Sequence, residues 1–136
     1  MTFSLVLVLM FADLSAVKAE PDLNKRSELA LANADQQIDK AREAYSAGDD
    51  QSLQRALNEI RESVDVSYDA LQQTHQQPRK SKYYKRAELK VDALSRRVAS
   101  FRDEVSFESR PPVADVFKHL SDVHDRLLAD IMSKKK

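Results

Sequence analysis

Tyr84–Val105 reads YKRAELKVDALSRRVASFRDEV, and the apolar residues in this stretch decide the fold class. Tyr84, Ala87, Val91, Leu94, Val98, Phe101 and Val105 fall alternately three and four positions apart. A helix turns once in about 3.6 residues, so these side chains form one stripe that packs on other helices. A half-buried strand would place them at every second position instead.

Three further stripes share the period. Before this one come Leu53, Leu57, Ile60, Val64, Ser67 and Leu71, and before those Leu31, Ala34, Ile38, Ala41 and Tyr45, extended backwards by Leu23 and Ser27. After it come Val113, Val116, Leu120, Val123, Leu127 and Ile131, with Phe117 and Leu128 on the shoulder. Turn signals separate the stripes. Asp22 is placed to cap the first helix, and Gly48 supplies a left-handed residue where it ends. Asp49 or Asp50 opens the second, Pro78 separates second from third, and Pro111-Pro112 separates third from fourth. The helices are therefore expected near 22–46, 50–75, 80–106 and 112–133. Short connections favour antiparallel sequential neighbours, so the expected fold is all-α, an antiparallel up-down-up-down four-helix bundle. Helical hairpins that dimerise into a bundle are the alternative.

Composition agrees. One Gly in 136 residues leaves few places to turn, and 42% hydrophobic residues suffice for a core. The absence of Cys excludes disulfides, thiolate zinc sites and iron–sulfur clusters.

The N-terminus reads differently. Phe3–Ala12 is a run of ten apolar or small residues, followed by Val17-Lys18-Ala19 and the polar Glu20-Pro21. An apolar run of that length followed by small residues is the pattern of a signal peptide, although no Lys or Arg precedes it. The expectation is a leader over 1–19, cut near Ala19, and a single helical-bundle domain over 20–136, secreted or periplasmic.

Ala44-Tyr45-Ser46-Ala47-Gly48-Asp49 with Ala56-Leu57 resembles the turn of a tetratricopeptide repeat. No second copy follows at the expected period of about 34 residues, so the stretch is read as a helix–Gly–Asp–helix turn.

Charge carries the functional reading. Residues 48–77 have a net charge of −4 and residues 78–105 a net charge of +5, inside a chain of net charge zero. Attraction between neighbouring second and third helices accounts for much of this. The start of the third helix is harder to explain: Arg79, Lys80, Lys82, Lys85 and Arg86 crowd a positive helix end around Tyr83. Either Arg79 and Lys80 neutralise the end of the second helix, or the cluster forms an anion- or partner-binding corner.

Other chemistries lack a pattern. His119 and His124 lie about 140° apart around a helix, too far to chelate one metal as an i, i+4 pair does. His75, His119 and His124 are expected as satisfied boundary residues, and Tyr45, Tyr68, Tyr84 and Phe101 as core. No nucleophile elbow, phosphate-cradling loop or Glu-x-x-His pair occurs. The expectation is a non-enzymatic exported protein without catalytic, metal or cofactor residues. It would bind an unknown protein or an anionic envelope component rather than nucleic acid, alone or as a homodimer. The competing expectation is a bundle that takes a small ligand or metal between its helices.

Overall fold

The computed structural model describes residues 13–133; the apolar run Phe3–Ala12 and the closing Lys134–Lys136 lie outside them. The described residues are all-helical, without a strand. A short helix α1 (Leu14–Lys18) precedes four long ones: α2 (Leu23–Ala47), α3 (Asp50–Gln73), α4 (Lys82–Glu104) and α5 (Arg110–Met132).

Each helix end has a local cause. The Asp22 carboxylate accepts from the backbone N–H groups of Asn24 and Lys25 and opens α2. Gly48 closes it at φ 72°, a left-handed value that costs glycine little. Asp49, not Asp50, caps α3 by accepting from the Ser52 N–H at 3.1 Å. Helix α3 stops earlier than expected, because the Thr74 hydroxyl donates to the Leu71 carbonyl and His75 turns left-handed at φ 57°. Helix α5 starts earlier than expected, at Arg110. Pro111 and Pro112 both sit in its first turn, where a missing N–H breaks no helical bond.

The four stripes meet in one continuous core. Ile38 of α2, Leu57 and Val64 of α3, Leu94 and Val98 of α4, and Leu120 and Val123 of α5 are all almost fully buried within it. Burial of such side chains stabilises the fold by about 1.5–3 kcal/mol each. Tyr68, Tyr84 and Phe101 are buried as expected, and Tyr45 packs edge-on to Phe101 with ring centroids 6.0 Å apart.

Which helices touch is the main correction. α2 lies antiparallel to α3, its buried Ala30, Ala34, Ala41 and Ala44 permitting close approach. Two bonds set that register: Ser27 to Ser67 at 2.7 Å, and the Asn33 amide donating to the Ser63 hydroxyl at 2.9 Å. α4 lies antiparallel to α5, with His124 bonded to Glu88 at 2.7 Å. The expectation that α3 and α4 are neighbours is not met: they touch only sparsely. α4 packs instead along α2, in the same direction, and α5 along α3. The connection of residues 74–81 is long enough to cross the end of the helices, so adjacency in sequence does not enforce adjacency in space.

Helix α1 was not foreseen. Asp13 caps it, and Leu14 and Val17 are buried against Ala30, with Leu29 and Val66 at the edge. Both residues belong to the stretch read above as a leader.

Candidate functional site

Where the basic helix forms ion pairs with another helix through its arginines and lysines, the partner is α2, not α3. Arg86 bonds to Glu28 at 3.1 Å, and Lys90 bonds to Asp35 at 3.0 Å. Arg97 donates to the Asp35 carboxylate, to the Asp35 carbonyl at 3.2 Å and to Asp39 at 2.6 Å. Arg42 of α2 pairs back to Glu104. The expected attraction between the second and third helices is thus replaced. Glu28, Asp35 and Asp39 share one flank of α2, and Arg86, Lys90 and Arg97 share the facing flank of α4. Reading those two flanks against each other would have revealed the pairing; net charge by segment hid it.

Burial alone would push the Asp35 carboxyl up. Hydrogen bonds from Lys90 and Arg97, together with their charges, outweigh it and hold the group below the usual carboxylate range. Burial likewise opposes the Arg97 charge, and the bonds to Asp39 and Asp35 raise its pKa nonetheless.

The start of α4 behaves differently from its remainder. Of the bases on and before this helix, Arg86, Lys90, Arg96, Arg97 and Arg102 each reach a carboxylate. Arg79, Lys80, Lys82 and Lys85 reach none among the described residues, and all four side chains are exposed. Arg79 and Lys80 lie in a single 3₁₀ turn, Pro78–Lys80, that packs against the end of α5. Neither bonds to the end of α3, whose Leu71 and Gln72 carbonyls accept from Thr74 and His75. The Ser81 hydroxyl accepts from both the Tyr83 and Tyr84 N–H groups at 3.1 Å, and itself donates to Gln76. Two of the backbone donors at the start of α4 are thus taken by the cap, and the exposed charge of the corner is carried by side chains.

Tyr83 organises the corner. It is half-buried, with the Lys82 ammonium 5.3 Å and the Arg86 guanidinium 5.7 Å from its ring centroid. Behind it runs a groove of about 230 Å³ between α2 and α4, lined by Leu31, Tyr83, Ala87, Glu28, Arg86 and Lys90 among others. Of the six residues singled out in the sequence, Tyr83 and Arg86 thus border the groove, and Arg79, Lys80, Lys82 and Lys85 are exposed outside it.

Other polar groups are occupied by one another. Asn33 also donates to Glu59 at 3.0 Å, so the serine and asparagine seam between α2 and α3 bonds within itself. His119 bonds to Asp65 at 2.7 Å, linking α5 to α3. The Tyr68 hydroxyl donates to Asp130 at 2.7 Å; burial and that acceptor push its pKa well up. Among the described residues no three His, Asp or Glu side chains gather as a metal-ligand set, and no helix is long and apolar enough to cross a membrane.

The described residues thus form an all-helical fold with a packed core and four exposed bases at and before the start of α4 that reach no carboxylate. The chain matches no family model, no curated protein and no solved structure.

Proposed function

We propose that this chain is an exported, non-enzymatic binding protein, a single up-down-up-down four-helix bundle whose basic end engages an anionic partner. The supporting observation is the division of charge on and just before α4. Five of its bases are bonded to carboxylates, whereas Arg79, Lys80, Lys82 and Lys85 are exposed without one. Of these, Lys82 and Lys85 lie in the first turn of α4, where a cation is unfavourable by about 0.3–1 kcal/mol at low salt. Cations that cost stability and reach no carboxylate are accounted for by a ligand of opposite charge. Export is supported by the apolar run and the small residues after it.

The test is binding to soluble polyphosphate, an anion without apolar parts. Affinity falls as salt rises, and Lys82→Glu with Lys85→Glu abolishes it. Lys118→Glu, which alters an exposed pair on α5, leaves it unchanged. Binding that survives the double reversal contradicts the reading.

A further inference from the structure

A second group of exposed side chains narrows the chemistry of the anion. Leu89 on α4 is 66% exposed, and Leu128 and Met132 on α5 are 41% and 70% exposed. Apolar side chains left in water at such fractions are ordinary when scattered and informative when grouped. Leu128 and Met132 fall toward the end that carries Arg79 to Lys85, and Leu89 lies one turn in from Lys85; the fourth exposed apolar residue, Phe107 at 80%, lies at the far end of α4.

Helix register places them. On α4, Lys82, Lys85 and Leu89 are spaced three and four apart and share the outer face. The His124–Glu88 bond fixes α5 against α4. Leu128 lies one turn beyond His124, and Lys85 lies three residues before Glu88, so antiparallel packing sets them level. Met132, one turn further, comes level with Ser81 and with the Pro78–Lys80 turn that packs on α5. Asp92 lies a turn beyond Leu89 and is paired with Arg96; the exposed Asp125 lies within this face, level with Glu88, with its carboxylate 3.9 Å from the His124 ring. Asp130, on the α3 side of α5, is held by the Tyr68 hydroxyl.

A soluble polyanion offers partners to the cations and none to two leucine-sized side chains and a methionine. A bilayer surface with anionic headgroups offers both: phosphates at the level of the lysines, and the acyl boundary for the apolar groups. We propose, building on the reading above, that the basic end is a docking surface for an anionic lipid bilayer. The protein lies on the membrane by this end and does not cross it. Lys82 and Lys85 supply attraction, while Leu89, Leu128 and Met132 enter the headgroup region and retard release.

The experiment is sedimentation with vesicles, using the protein as its own host processes it. Vesicles of phosphatidylcholine alone are compared with vesicles carrying about one-third phosphatidylglycerol. The expected result is about tenfold or greater preference for the anionic vesicles, falling as salt rises. Leu89→Ser with Met132→Ser, at two exposed positions, lowers vesicle binding about tenfold and leaves polyphosphate binding unchanged. Lys82→Glu with Lys85→Glu loses both. Polyphosphate binding without vesicle binding, or vesicle binding indifferent to Leu89 and Met132, overturns the lipid assignment and leaves the anion reading standing. Loss of neither ligand on charge reversal, or binding to neither by the unaltered protein, overturns both.

Discussion

Arg97 of α4 reaches Asp35 of α2 twice, through the carboxylate and through the backbone carbonyl, the latter at 3.2 Å. That double contact holds two parallel helices in register although no turn connects them. The side chains are about one-third exposed, so solvent screens the pair and the two bonds are not additive. Arg97→Met is expected to lower stability by about 1 kcal/mol, read by urea denaturation. In a double-mutant cycle with Asp35→Asn, the two effects should be non-additive. Additive losses would mean that the residues do not act together.

The same pair sets an acid limit. The folded Asp35 carboxyl titrates below its ordinary value of 3.8. A depressed carboxylate stabilises the fold above the unfolded pKa, and this contribution fades as pH falls through the folded one. The stability gap between the unaltered protein and Asp35→Asn should therefore be constant from pH 7 to about pH 5, then shrink below about pH 4. Denaturation curves at stepped pH check this; a gap that widens in acid has the wrong sign.

The stripes and most caps were legible in the sequence because they are local. A 3.6-residue period and an Asp or Gly at a boundary depend on a few neighbouring residues. Which helix lies beside which is not local. Leu94 and Leu57 announce a buried side, and neither says what covers it. The eight residues of 74–81 allow α4 to cross over to α2, where Glu28, Asp35 and Asp39 await its bases. Charge marks the candidate corner in the sequence. That Ser81 caps α4 and takes the Tyr83 and Tyr84 N–H groups is not marked there, because a lone serine carries little signal.

Two left-handed residues predict effects of opposite sign. A methyl group added at Gly48 would meet open space, so Gly48→Ala costs only backbone strain, about 1 kcal/mol. His75 holds φ 57° as a non-glycine residue at the end of α3. His75→Gly should stabilise the protein by about 0.5 kcal/mol. Thermal melts of both variants suffice, and equal signs would contradict the assigned turn geometry.

Helix α1 ties processing to stability. A chain beginning at Glu20 lacks Leu14 and Val17 and uncovers Ala30, whereas the main core of α2 to α5 keeps all its members. That shortened chain should stay helical and melt cooperatively, at a stability about 1–3 kcal/mol below that of a chain retaining α1. Circular dichroism melts compare the two. An unchanged melting temperature would show that α1 does not dock.

Under the proposal, the bases on and just before α4 divide into those bonded within the fold and those that serve a partner, and a paired scan reads both at once. Arg79, Lys80, Lys82, Lys85, Lys90 and Arg97 are each changed to Gln, and melting temperature and polyphosphate affinity are measured for every variant at low salt. The first four should each lose about threefold or more in affinity with melting temperature unchanged or, for Lys82 and Lys85 in the first turn of α4, slightly raised, while Lys90→Gln and Arg97→Gln lose melting temperature and keep affinity. Affinity losses spread evenly over all six, or confined to Lys90 and Arg97, would contradict that division.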